Sequence, residues 1–487
     1  MACFKNSSRS SEQWGFKILP ESLSGITTDW YESMLQKQSI ISKNTNIIKI
    51  DVRKITNEEM GIDDGGGFSG SQLIKLIPKY SGNITGNEPL SMVCKISGNN
   101  YWKMPILLRF GDYMSNGCST EELFSRQEGL FFQRVAPLMK DTLYGLPKIY
   151  FVDLNDQGNS NFIQFVILKK PSKVKTVMIM EDLSDYKSLC ALSSLSRKQV
   201  IACLKNVAIL HGKFWKNKEM ADIFGFCKTE REVRSTRYSK LAAWKRKLNF
   251  SNAEAAKKII DKFLSTEWME HSSMKLPKGI PVPDWLTINP SNDGSFVVME
   301  DPMVKEMLSI FANRISNYYQ GKLKQFDKKE PQTLLHGDFH SGNHMYATGE
   351  NEGKVIAVDF QFTGIGMATI DVTTLLLSSW RISNIDEIED FAKEYHLALI
   401  ENGVNDYNWL EFRNDLEITI VERLCGFIEF LTMMKATTFF NMFEKMEEPG
   451  KQQKAKSFKK LFDSGFFNVI VLYVTCMYVK EKENFLI

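Results

Sequence analysis

Apolar residues at 200, 201, 204, 207, 208, 214 and 215 recur at helical spacing, which predicts a helix over Ser196 to Trp215 with His211 on its buried face. A second helical stretch, Glu121 to Val135, has apolar residues at 123, 124, 130, 131 and 135. Before and between these helices the period shortens. Asn46 to Arg53 alternates apolar and polar residues, as a half-buried strand does. Gln72 to Ile77, Leu90 to Ile96 and Thr176 to Leu183 read as further strands, the last running into two acids. Lys148 to Asp153 and Ile163 to Leu168 read as a hairpin. Beyond residue 183 the pattern is mainly helical, with helices at 301–325 and across 386–487, a charged loop near Glu447 to Lys460, and one short buried strand, Lys354 to Asp359. Residues 1 to about 40 are rich in Ser, Lys and Gln and read as a loose arm or a short capping helix. The succession of strands, then helices, predicts an α+β chain.

A chain of 487 residues has room for two or three domains, and 43% hydrophobic with 24% charged residues is an ordinary globular composition. The net charge of +3 is too small to argue for nucleic acid or an anionic membrane. Eight Cys are scattered without a C-x-x-C pair, which indicates neither a zinc site nor a disulfide framework and suits a reducing compartment. The N-terminus lacks an apolar signal core. The longest apolar run, Phe466 to Val479, has 14 residues, against about 20 for a membrane span. The expectation is a cytoplasmic protein with no transmembrane segment.

The chemistry concentrates in His336-Gly-Asp-Phe-His-Ser-Gly-Asn343 and in Val355-Ile-Ala-Val-Asp359. Three of the six histidines lie between 336 and 344, Asn343 follows Asp338 by five positions, and Asp359 follows it by 21. Phosphoryl transfer uses such a set: one carboxylate to orient a hydroxyl and take its proton, an amide oxygen and a second carboxylate to hold Mg²⁺. Gly337 and Gly342 let the intervening loop bend. In this reading Asp338 is the base, and Asn343 and Asp359 are metal ligands. The Gly-rich turn Asp63 to Ser71 lies between two predicted strands and can lay N–H groups over phosphate, with Gly67, Ser69 and Gly70 as candidates, although a plain flexible hairpin has the same composition. Lys95 ends an apolar strand. In a kinase such a Lys meets the α/β-phosphates and pairs with a helical Glu, here Glu128 with Glu121 and Glu122 as competitors. Glu181 and Leu183 fall where a kinase has its interlobe hinge, whose backbone holds adenine. Asp371 opens a helix and can reach back to brace a neighbouring loop. His211 reads as a core histidine.

These residues resemble the aminoglycoside phosphotransferase and choline kinase superfamily. Asp359-Phe-Gln361 followed by Asp371-Val, and Leu210-His-Gly-Lys-Phe-Trp215, look closest to its ecdysteroid-kinase-like (CHK-kinase-like) branch. The resemblance implies a protein-kinase-like two-lobed fold with a small β-rich N-lobe and a larger, mainly helical C-lobe. It divides the chain into an N-terminal arm (1–45), an N-lobe with the nucleotide-binding sheet and hinge (46–182), and a C-lobe with the catalytic loop and acceptor site (183–487). It implies transfer of the γ-phosphate of Mg-ATP to a hydroxyl of a small molecule, with the residue roles above.

The chain also departs from protein kinases. Gly337 stands where a protein kinase has the Arg that reads a phosphorylated loop, Gln361 replaces the Gly after Asp-Phe, no Ala-Pro-Glu follows, and only 12 residues separate Asp359 from Asp371. A small hydroxylated acceptor fits better than a peptide. Trp285, Trp380 and Trp409 could line an acceptor site but read as core, and no substrate residue is assigned. The rival readings are a catalytically inactive kinase-like nucleotide- or ligand-binding protein, and a metal hydrolase using His336, His340 and His344. The glycines among those histidines disfavour the helix that would align them.

Overall fold

The computed structural model describes residues 25–55, 72–97, 120–156, 174–189, 195–217, 220, 253–264, 331–349, 353–379 and 385–433. The Gly-rich turn with Gly67, Ser69 and Gly70, the strand expected at 163–168, the helix at 301–325 and the apolar run 466–479 lie outside these residues.

Helix α1 (Thr28–Lys37) is capped by Thr27, whose hydroxyl accepts the Trp30 N–H. Strands β1 (Thr45–Lys54), β2 (Gln72–Gly82) and β3 (Met92–Ser97) follow. Helix α2 (Thr120–Leu130) leads to β4 (Ile149–Asp156) and β5 (Val174–Glu181). The five strands form an antiparallel sheet in the order β1-β2-β3-β5-β4. β4 pairs with β5, and the hairpin partner expected for it at 163–168 lies outside the described residues.

Alternation along the strands gives the sheet two apolar faces. On one, Tyr31, Met34 and Leu35 of α1 pack against Ile74, Cys94, Ile96, Val177 and Ile179. On the other, Met178 and Val152 meet Phe131, Phe132 and, from the helical part, Leu210, Phe214 and Phe360. The predicted helix 121–135 is α-helical only to Leu130. Its last turn, Phe131–Val135, widens to a π turn that buries Phe131, Phe132 and Val135, and a 3₁₀ turn with Pro137 at its start follows.

The helical part begins after β6 (Lys187–Ser188). Helix α3 (Arg197–Lys213) opens with a reciprocal capping box between Ser196 and Gln199, and α4 spans Ala253–Leu264. Short strands β7 (Thr333–Leu335), β8 (His344–Tyr346), β9 (Val355–Ala357) and β10 (Gly364–Gly366) carry the motif residues between them. They pair as β6-β8-β9 and as β7-β10. Helix α5 (Thr369–Ser379) packs on the Ser341–Asn343 turn and on α7 (Trp409–Met433), and α6 (Ile385–Glu401) packs on α3. Among the described residues no helix is long and apolar enough to cross a membrane.

Candidate active site

Lys95 owes its place to strand alternation. Its neighbours Cys94 and Ile96 point into the α1 core, so Lys95 points to the opposite face. There its ammonium lies 2.7 Å from Glu128 Oε1 and 3.0 Å from Asp359 Oδ1. Burial alone would lower the Lys95 pKa, but the charges of Asp359 and Glu128 outweigh it and raise the pKa. The helical carboxylate partner is Glu128. Glu122 is also buried, and the Glu121 side chain lies outside the described residues.

Helix α2 is fastened to the segment after Asp359. The Gln127 amide donates to Thr363 O at 3.3 Å, and Phe131 stacks on Phe360 with ring centroids 3.8 Å apart. Phe124 meets Phe362 at 4.4 Å. Asp359 itself takes a left-handed conformation, φ 68° and ψ 64°, which is uncommon outside glycine. The Gln361 amide reaches its Oδ2 at 3.4 Å.

The loop from β7 to β8 carries the other acid. Asn343 Nδ2 donates to Asp338 O at 2.8 Å and lies 3.2 Å from Asp338 Oδ2. With its NH₂ turned to Asp338, the Asn343 amide presents its oxygen on the opposite side. The Val358 N–H donates to Asn343 O at 3.0 Å, which brings Asn343 beside the residue preceding Asp359. His336 is buried. Its Nδ1 accepts the Asp338 N–H and its Nε2 lies 3.0 Å from Val358 O, so the ring ties the loop to the Asp359 strand. Burial lowers its pKa.

Asp371 braces this loop from α5. Its Oδ2 accepts the His336 N–H at 2.7 Å and its Oδ1 the Gly337 N–H at 2.9 Å. Burial would raise this carboxyl, but the His211 hydrogen bond, then His336 and the Gly337 N–H, hold it below its ordinary value. His211 is therefore a core residue with two polar partners. Its Nε2 lies 3.2 Å from Asp371 Oδ2 and its Nδ1 2.7 Å from the Tyr395 hydroxyl. Gly337 has φ +84°, and a Cβ there would stand 2.1 Å from Phe362 O. The position read from sequence as lacking a regulatory Arg has no room for any side chain.

At the strand exit, the Glu181 N–H donates to Lys148 O at 2.9 Å and its carboxylate accepts the Lys148 N–H at 2.8 Å. Leu183 is buried and its carbonyl accepts the Tyr186 N–H. Asp182 between them lies 2.7 Å from Lys75 Nζ and accepts the Ser91 hydroxyl. Trp409 packs against His396 and Phe412, while Trp285 and Trp380 fall outside the described residues.

His336, His340 and His344 lie on a strand end, a bend and a second strand rather than on one helix. His344 is buried, which pushes its pKa down to about 3, and its Nδ1 lies 2.8 Å from His340 O. Among the described residues no three His, Cys, Asp or Glu side chains form a group that could hold a metal. The hydrolase arrangement is absent among these residues. Sequence reading passed over Gln127 and over the contact of His340 with Asp338. Neither has a spacing signal, because each depends on what folds against it.

A family model described as the ecdysteroid kinase-like family matches residues 115–405. The chain belongs to this family. The sheet with Lys95 and the helical part with Asp338 make up an α+β architecture. Among solved structures the chain is similar to the amicoumacin kinase hAmiN in complex with AMP-PNP, Ca²⁺ and Ami (11% identity, 89% of this chain and 93% of that chain covered, TM-score 0.35). It is similar to the spectinomycin phosphotransferase APH(9)-Ia in complex with ADP and spectinomycin (12% identity, 93% and 99% covered, TM-score 0.39). It is also similar to a microcompartment-associated aminopropanol kinase (10% identity, 90% and 94% covered, TM-score 0.40). No curated protein matches the chain.

Proposed function

We propose that this ecdysteroid kinase-like chain is an ATP-dependent small-molecule kinase, with a nucleotide-binding N-lobe over 46–182 and a C-lobe over 183–487 that carries the catalytic loop and acceptor site. The observation that supports it is the meeting of Lys95, Glu128 and Asp359 within 3.0 Å, with Asp338 and Asn343 on the adjoining loop. A binding protein has no need of a base beside such a set.

In this reading Lys95 meets the phosphates, and Gly67, Ser69 and Gly70 cover them. Glu128 holds Lys95 in place. Glu181 and Leu183 offer backbone groups to adenine. Asp338 orients the acceptor hydroxyl toward the γ-phosphorus and takes its proton. Asn343 and Asp359 supply one amide oxygen and one carboxylate, a donor set that fits Mg²⁺, which takes one or two protein oxygens and completes its shell with phosphate and water. When bound, Mg²⁺ supplies charge stabilisation to the phosphates. The rest is positioning by the chain's own residues. The acceptor is a small hydroxylated molecule, since a 12-residue interval from Asp359 to Asp371 leaves no peptide platform.

The test is calorimetry of Mg-ATP binding to wild type and Asp359→Ala. Wild type is expected to bind with a Mg²⁺ requirement that the variant loses. Wild type that binds no nucleotide, with or without Mg²⁺, sinks the reading. Nucleotide binding without transfer to any acceptor would identify a catalytically inactive relative.

A further inference from the structure

Of the three loop histidines, two are buried and have structural partners: His336 on Val358 and His344 on His340 O. His340 differs. Its Nε2 stands 3.5 Å from Asp338 Oδ2, and the two side chains are 21% and 22% exposed, so both lie at the open edge of the site. That distance is longer than a formed hydrogen bond, and catalytic contacts are often long before ligands bind. The other ring nitrogen, Nδ1, accepts the Gly342 N–H at 3.1 Å. A neutral imidazole has one donor and one acceptor nitrogen. With Nδ1 accepting, the ring hydrogen sits on Nε2, facing Asp338.

Asn343 Nδ2 faces the same carboxylate oxygen, Asp338 Oδ2, at 3.2 Å. We propose that His340 is a positioning residue for Asp338: with Asn343 it holds Oδ2 between two donors and so fixes the rotation of the carboxylate that meets the acceptor hydroxyl. This rests on the phosphotransferase reading above. In the transfer step the hydroxyl oxygen bonds to the γ-phosphorus, the bond from that phosphorus to the ADP oxygen breaks, and the hydroxyl proton passes to Asp338. His340 gains no proton. Its contribution is orientation, and a misaligned base costs rate without costing nucleotide affinity.

The two ring nitrogens do different things, and two substitutions separate them. In His340→Asn the side-chain oxygen takes the place of Nδ1 and keeps the Gly342 contact, but nothing reaches Asp338. In His340→Gln the amide NH₂ takes the place of Nε2 and reaches Asp338. The assay is hydrolysis of Mg-ATP by the full chain, with water as the probe acceptor, beside calorimetry with Mg-AMP-PNP and thermal melting. The expected result is a loss of about tenfold in hydrolysis for His340→Asn, with AMP-PNP affinity and melting unchanged, and most of the rate retained in His340→Gln. Wild-type hydrolysis in His340→Asn with loss in His340→Gln overturns the proposal and leaves His340 as a loop cap only. A chain with no measurable hydrolysis is decided by long-range ¹H–¹⁵N NMR of the His340 ring near pH 8. A hydrogen on Nε2 supports the contact, and one on Nδ1 overturns it. The ring measurement needs no nucleotide, so its failure is distinct from failure of the kinase reading, which AMP-PNP binding reports.

Discussion

At Gly337 the backbone holds φ +84° and passes so close to Phe362 O that a Cβ would stand 2.1 Å away. Gly337→Ala therefore meets both a left-handed backbone and a backbone oxygen that cannot swing aside. The expected loss is at least about 1–3 kcal/mol, read as a fall in the denaturant midpoint at constant slope. Asp371 acts on the same turn with charge. Its carboxyl is held below the ordinary value by His211, His336 and the Gly337 N–H. A carboxyl lowered on folding stabilises fully above its unfolded value, roughly pH 4, and that stabilisation fades as the pH falls through the folded value. Asp371→Asn should cost roughly 2–3 kcal/mol at pH 7. The gap to wild type should narrow below about pH 4, and denaturant melts at pH 7 and pH 3.5 check both. Asp371 was legible as a brace because it opens a helix 12 residues after Asp359. Its partner His211 was legible only as core, since an apolar stripe gives no sign that one member faces a carboxylate from 160 positions away.

Helix α2 and its widened last turn are the element on which the site closes. Glu128 reaches Lys95, Gln127 reaches Thr363 O, and Phe131 lies flat on Phe360. The apolar spacing predicted the element and its buried face. It could not predict the π turn, because the spacing of 130, 131 and 135 is compatible with either winding. What fixes the turn is Phe131 and Phe132 both finding places against Phe360, at centroid distances of 3.8 Å and 5.6 Å. Phe131→Ala removes the stack and leaves a cavity between sheet and helices, with an expected loss of about 3–5 kcal/mol by equilibrium unfolding. A loss below about 0.5 kcal/mol, the range of a surface change, would mean that Phe360 is held by something else.

The whole molecule sets a β-sheet carrying a buried cation against a helical part carrying two acids, and the site exists only where they meet. On the kinase reading, Asp338→Ala removes the base while leaving Lys95, Glu128 and Asp359 in contact. Transfer should fall by about 10²-fold or more, while Mg-ATP affinity by calorimetry changes little. Undiminished transfer would remove Asp338 from that role.

The local parts of this protein are written in its amino-acid order: the bend from His336 to Asn343, the strand that delivers Asp359, and the capped helix from Arg197. These follow from the local sequence, because glycine bends, short apolar runs and capping act over a few residues. The folded chain alone reveals that Asp359 joins Glu128 at Lys95, why Gly337 tolerates no side chain, and that His211 and His340 face acids. Those facts join positions as far as 264 residues apart. Contacts at that range are fixed when the packed faces of sheet and helices come together, and no local period records them.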